Sequence, residues 1–265
     1  MRGTKGKAVI TGASSGIGAV YADRLAGRGL DLILIARRED QLALVADRIR
    51  SRTGRNVEVF PADLTDELDV ARVETLLKSD SDITLLVNNA GLGGTGTLVQ
   101  SDVDKMSSMI ALNVTALMRL TYAIVPRFVA RKAGTIINIG SIVAIAPETL
   151  NGVYGGTKAF VLAFSQNLRT ELEGTGVRIQ VVLPGATATD FWAISGRPVE
   201  LLPHEIVMSS EDLVDAALIG LDRGEFVSIP PLQDADLYNT YEAARHAMIG
   251  KLSHSTPALR YQVAA

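Results

Sequence analysis

The chain has 265 residues, 47% of them hydrophobic, no cysteine, and a net charge of −3 from 26 basic and 29 acidic residues. That size and apolar fraction suffice for one large α/β core, while the missing cysteines exclude disulfides, thiolate nucleophiles and thiolate metal sites and suit a reducing cytoplasm. Mixed charges offer no basic surface to nucleic acid or an anionic membrane, and His204, His246 and His254 are too scattered for a dedicated metal site.

The start, Met1 to Lys7, is basic, but the apolar run after it covers only residues 8–10 before Thr11 and Gly12, which predicts a strand rather than a signal peptide. Next comes Gly12-Ala13-Ser14-Ser15-Gly16-Ile17-Gly18, which opens a helical pattern running to Gly27. Glycines here let the backbone turn with positive φ and approach a pyrophosphate, and the helix N-terminus adds free N–H groups and a positive dipole. Such a loop could be an ordinary turn. Its place between first strand and first helix favours a phosphate loop, and no Lys-Ser or Lys-Thr follows Gly18 as a nucleoside triphosphate P-loop requires.

The second strand, 32–36, ends in Arg37-Arg38, where an NAD site would offer an acidic side chain to the ribose hydroxyls. Ala36 leaves room, and two guanidinium forks suit a 2′-phosphate, which points to NADP(H). The same arginines could also simply begin a charged helix with Glu39 and Asp40. Further strands are predicted at 57–60, 83–87, 135–139, 177–183 and 226–229, and helices at 40–51, 67–78, 105–130, 154–173 and 211–223. This alternation predicts a doubly wound parallel seven-stranded sheet, a Rossmann fold, in a single domain over 1–265. No uninterrupted apolar run approaches the roughly 18 residues of a membrane span.

Ser141 follows the fifth strand, and Tyr154 has Lys158 one helical turn on. A phenol titrates near about 10, and a neighbouring ammonium favours the phenolate, so Tyr154 can exchange a proton with a substrate oxygen. Ser141, at the strand ends where α/β sheets bind ligands, can donate to a substrate carbonyl. Tyr241 with Arg245 shows the same spacing but lies in a tail, 231–265, whose helix is predicted at 235–252. The stretch 186–209 is too long for an ordinary connection and reads as a substrate lid. Its Phe191 and Trp192 either line an apolar pocket with Leu92, Val143 and Ala146 or pack the lid on the body, and Glu148 could meet a polar substrate group.

Together these motifs, with Asp63-Leu64, Asn88-Asn89-Ala90-Gly91, Asn113 and Pro184-Gly185, resemble the short-chain dehydrogenase/reductase family in its compact single-domain branch. The resemblance runs from Lys7 to about Thr189. It implies that Asp63 and Leu64 hold the adenine, that Asn89, Ala90 and Gly91 line the adenosine side, and that Lys158 binds the nicotinamide ribose. It implies a relay water on Asn113, and a carboxamide and diphosphate seated by Pro184, Gly185, Thr187 and Thr189. The implied reaction passes hydride between NADP(H) and a carbonyl or secondary alcohol, with Tyr154 as acid/base, in a homotetramer or homodimer packed through helices 105–130 and 154–173.

Two departures stand out. Gly155-Gly156-Thr157 puts two glycines into a helix, which suggests close packing against a partner or substrate, and Leu92-Gly93-Gly94-Thr95-Gly96 suggests a mobile pocket rim. Other readings are an NAD(H)-preferring alcohol dehydrogenase of the same family and a non-catalytic NADP(H) sensor or scaffold, against which the intact Ser141, Tyr154 and Lys158 argue. A sugar-nucleotide epimerase is disfavoured because no second domain follows Pro184.

Overall fold

Alternate side chains of a strand point to opposite faces, so a strand covered by helices on both sides must be apolar throughout. In the computed structural model, which describes residues 6–196 and 198–261, helices cover a sheet of seven strands, most of whose residues are buried. The strands are β1 (Lys7–Thr11), β2 (Asp31–Ala36), β3 (Val57–Pro61), β4 (Ile83–Asn88), β5 (Gly134–Ile139), β6 (Val177–Val182) and β7 (Val227–Ser228). The helices are α1 (Gly16–Gly27), α2 (Glu39–Thr53), α3 (Glu67–Ser79), α4 (Val103–Ile110), α5 (Leu117–Ala130), α6 (Gly152–Glu171), α7 (Phe191–Ile194), α8 (Ser210–Arg223) and α9 (Ala235–Met248).

Ala8, Ile10, Leu32, Leu34, Leu85 and Val87 face one core with α1, α2 and α8, while Val9, Ile33, Ile35 and Leu86 face a second with α3, α5 and α6. Each fully buried Leu, Ile or Val contributes about 1.5–3 kcal/mol. The sheet is parallel in the order β3-β2-β1-β4-β5-β6-β7. The chain winds outward from β1 to β3, then crosses to β4 and winds the other way. At that switch the loops after β1 and β4 diverge and leave a crevice outside the strand ends. The strands predicted from the sequence are all present, with the last reduced to two residues.

The predicted helix 105–130 is not continuous. It is α4, a π turn at Ala111–Ala116, and α5. By length and a mean hydropathy of 1.5, Val103–Ala130 would suffice to cross a membrane, but Leu117, Leu120, Ala123, Ile124 and Phe128 are buried, and Leu120, Ala123, Ile124 and Phe128 pack into the second core. Its hydropathy is that of a core helix.

The stretch 186–209 contains α7 and two 3-10 turns, and its ends are joined by Ala188 N–H to the Met208 carbonyl (2.9 Å) and Met208 N–H to the Ala186 carbonyl (2.9 Å). Arg197 of that stretch, the basic start Met1–Lys5 and the end of the tail, 262–265, lie outside the described residues. Contacts divide the chain after Pro231 into two compact units. The second begins at Leu232 and holds α9, shorter than predicted, capped by the Asp234 side chain and carrying a Glu242–Arg245 ion pair.

Candidate active site

The loop after β1 is strapped to the end of β4. Thr11 Oγ1 accepts from the N–H groups of Asn89 (2.9 Å) and Ala90 (3.0 Å), and Asn89 Nδ2 donates to the carbonyls of Thr11 (2.9 Å) and Gly12 (3.2 Å). Gly12 and Gly16 have φ of +66° and +53°. Gly18 permits the close approach, since a Cβ there would overlap the Gly12 carbonyl oxygen and lie 2.5 Å from Asn89 Nδ2. Asp66, Asp102, Asn151 and Ser209 cap α3, α4, α6 and α8 with their side chains, but Ser15 makes no such bond at α1. The first N–H groups of α1 therefore remain for an anion. A cleft of about 580 Å³ opens beside them, with Ser14, Ser15, Gly16 and Thr189 on its walls, and Ile17 packs on the first core. These donors fit a dinucleotide pyrophosphate.

At the end of β2, Arg37 and Arg38 are exposed, and among the described residues Arg37 reaches only Asp63 Oδ2, at 3.9 Å. Such an exposed pair contributes little, so the Arg37 guanidinium can turn to a phosphate at small cost. Asp63 otherwise accepts from Thr65 N–H and Oγ1 at 2.9 and 2.7 Å. The Leu64 side chain is a buried member of the second core, which leaves its backbone for the adenine role that the resemblance implies. Asn89 spends its amide nitrogen on the phosphate loop, which holds it beside the cofactor crevice.

Around the end of β5 the catalytic candidates come together. The Ser141 hydroxyl, which accepts from Val143 N–H at 3.3 Å, lies close enough to the Tyr154 phenol to lower its pKa, and Lys158 Nζ donates to the Ile139 carbonyl at 2.9 Å. Gly91 lies beside both Lys158 Nζ and Asn113 Oδ1. Tyr154 and Lys158 share one face of α6, whose N-terminus is held by Asn151 Oδ1, the acceptor for the N–H groups of Val153 (2.9 Å) and Tyr154 (3.3 Å).

Burial outweighs the expected lowering of Tyr154 by Lys158. The ammonium lies 5.8 Å from the ring centroid, and burial dominates both groups. It pushes the Tyr154 phenol up to about 12, against a smaller lowering by Ser141, and the Lys158 ammonium down to about 8. Tyr154 is thus a proton donor across the neutral range.

Asn113 lies in the π turn. Its Oδ1 accepts from Leu92 N–H (2.8 Å), and its Nδ2 donates to the Leu92 carbonyl (2.8 Å) and to Thr157 Oγ1 (3.1 Å). Both amide hydrogens are used, so a relay water would have to sit on the remaining Oδ1 lone pair or the backbone carbonyl. Thr157 in turn donates to the Tyr154 carbonyl at 2.8 Å, which joins the rim after β4, the π turn and α6 into one unit. Neither the π turn nor Thr157 was legible in the sequence; Asn151, three residues before Tyr154, carried a helix-cap signal that went unused.

Beside Tyr154 the walls are apolar. Met109 and Val143 are buried against it, with Leu92, Met106, Leu150, Val153 and Phe191 packed around them. The two lid aromatics part company. Phe191 packs beside Tyr154, its ring centroid 5.7 Å from that of Tyr154. Trp192 is buried and donates from Nε1 to the Thr187 carbonyl at 2.9 Å, so it anchors the lid. Gly155 answers to Pro147 in the same chain, 3.2 Å from where a Cβ would stand, whereas Gly156 faces open space. Glu148 is exposed. Pro184 supplies its carbonyl to Ile142 N–H (2.9 Å), Gly185 packs against Pro231, and Thr189 stands over Gly16.

Residues 6–198 match the family model for short chain dehydrogenases. Among solved structures, a short-chain dehydrogenase from Sphingobium yanoikuyae in complex with NADPH is 46% identical with a TM-score of 0.94, over 97% of this chain and 100% of that one. A bulky-bulky ketone specific alcohol dehydrogenase from Comamonas testosteroni is 44% identical with a TM-score of 0.89, over 97% and 98%. Human 17-beta-hydroxysteroid dehydrogenase type 3 is 38% identical over 186 residues, 69% of this chain but only 59% of the relative's length. The match of family, fold and glycine loop leads to one conclusion: the chain belongs to the short-chain dehydrogenase family of oxidoreductases.

Proposed function

We propose that this chain is an NADP(H)-dependent carbonyl reductase, and in reverse a secondary-alcohol dehydrogenase, acting on ketones with apolar substituents. The observation that carries the reading is Ser141 and Tyr154 brought together at the end of β5, with the apolar side chains of Met109, Val143, Leu92 and Phe191 packed around the phenol. When bound, the nicotinamide supplies or accepts the hydride. Ser141 donates to the substrate oxygen and holds it in line with Tyr154. Tyr154 gives its phenolic proton to that oxygen during reduction, and the Lys158 ammonium favours the phenolate left behind. The two methionines, Met106 and Met109, let the walls adjust to substituents of different shape. The ketone specificity of the Comamonas neighbour supports the substrate class, and the NADPH complex of the Sphingobium neighbour supports the cofactor.

A screen following NADPH and NADH absorbance against aryl and alkyl ketones tests the activity. Turnover with aldehydes or polar sugars but no apolar ketone would overturn the substrate class, and NADPH binding without any turnover would favour a dinucleotide sensor. Exposed Arg37 and Arg38 beside the small Ala36 support the choice of NADP(H). Arg37→Ala is expected to raise KM for NADPH by about tenfold, the size of one lost charge-assisted contact, with KM for NADH nearly unchanged. Equal effects on both would refute the cofactor assignment.

The proposed assembly is a homotetramer or homodimer packed through α4–α5 and α6. Tyr122 is 70% exposed there, and its ring stacks at 6.4 Å on Phe164, itself 5.6 Å from Phe160. Light scattering during size-exclusion chromatography is expected to give two or four chain masses, and a monomer would overturn this. A reducing cytoplasm is the proposed location, in keeping with a chain free of cysteine.

A further inference from the structure

Phe191 owes its position beside Tyr154 to Gly93. A Cβ on Gly93 would overlap Phe191 Cζ and lie 2.5 Å from Cε2 and 2.6 Å from Ser195 Oγ. Gly93 is not among the glycines with positive φ, so its backbone would accept alanine. Glycine at this position therefore serves the neighbouring side chains and not the course of the chain. With that space open, the Phe191 ring tilts 48° against Tyr154 and joins the apolar side chains packed around it.

Both ends of α7 are fastened. At its start Trp192 is 8% exposed and bonded to the Thr187 carbonyl. Past its end, Thr95 Oγ1 donates to the Ser195 carbonyl at 2.7 Å, tying α7 to the loop that carries Gly93. Among the described residues the buried Ser195 hydroxyl has no hydrogen-bond partner, so its place against Gly93 comes from packing.

We propose that Gly93 and Phe191 form one specificity element. The bare backbone of Gly93 seats the Phe191 ring beside Tyr154, and the ring sets how large a ketone substituent fits on that side of the reacting carbonyl. The substrate side of this inference rests on the proposed ketone reductase activity; the seating of α7 does not.

The experiment compares kcat/KM for benzophenone and acetophenone, which differ by phenyl for methyl, in wild type, Phe191→Ala, Gly93→Ala and the double variant. The ratio of the two is independent of the folded fraction. Phe191→Ala is expected to raise the benzophenone-to-acetophenone ratio by about tenfold or more, as expected when several carbons of space are opened in an apolar pocket. Gly93→Ala is expected to shift it in the same direction by displacing the ring, yet by less than about twofold once Phe191 is already alanine. A ratio unmoved by Phe191→Ala, or full additivity of the two changes, would overturn the proposal.

Trp192 is the only tryptophan in the chain, so its emission reports on α7 without substrate. Gly93→Ala is expected to shift the emission to the red and increase acrylamide quenching, and to add little to Phe191→Ala. If neither ketone is reduced by a wild type that binds NADPH, the reductase reading fails while this measurement still decides the seating. Unchanged emission in Gly93→Ala would then sink it.

Discussion

Tyr154→Phe is expected to lower ketone reduction by about a thousandfold, within the range that a positioned general acid contributes, while NADPH binding is largely kept. The ring remains, so its packing with Met109, Val143 and Phe191 is preserved, and Ser141 keeps Val143 N–H (3.3 Å) as a donor to its hydroxyl. What is lost is the one proton aimed at the substrate oxygen. Single-turnover kinetics with a saturating ketone separates this from a binding defect, and retained turnover would remove Tyr154 from the mechanism. The pH dependence carries a sign. Reduction needs the phenol proton, held up to about 12, and the Lys158 ammonium, held only up to about 8. Reduction should therefore be level below pH 8 and fall as pH rises through it. Alcohol oxidation starts from the state with one proton fewer, so it should rise over the same range and then level off, the two groups titrating as a pair. A reductive profile level up to about pH 10, the ordinary lysine range, would take Lys158 out of the proton balance.

Gly18→Ala is expected to raise the Kd for NADPH by about a hundredfold, equivalent to about 3 kcal/mol. The new methyl would meet backbone, the Gly12 carbonyl, and the Asn89 amide that straps the loop. Neither is the free end of a flexible side chain, so the loop itself must move, and with it the N–H groups at the start of α1. Overpacking should also lower folding stability by about 1–3 kcal/mol. Isothermal titration of the folded variant, with thermal unfolding beside it, tests both. Near-normal NADPH affinity would mean that the cradle yields more easily than its contacts indicate.

The strands, their order along the chain and the glycine loop were legible because each depends on neighbours in sequence: apolar runs, turn residues, and glycines at fixed offsets. The pairing of Tyr154 with Lys158 was legible for the same reason, since one helical turn of α6 joins them. Their meeting with Ser141 followed from the rule that strand ends gather ligands.

Where the chain had to fold before a contact existed, the residues alone misled or stayed silent. For Leu64 and Asn89 the motifs were silent on the side chains, which the fold places in the second core and on the phosphate loop. Phe191 and Trp192 are adjacent in sequence and equal in apparent character, but only the packing of α7 turns one to Tyr154 and the other to the body. Asn113 gains its meaning from a π turn that no periodicity announced.

Sequence by itself determined which chemical groups this protein has and roughly where along the sheet they stand, because spacing on a helix or strand is a local property. Tertiary structure alone decided their state. Burial holds the Tyr154 proton on and makes the Lys158 proton easy to lose, and the space left by Gly93 puts Phe191 beside them. Desolvation and close contact are set by everything packed around a group, and that surrounding does not exist until the chain has folded.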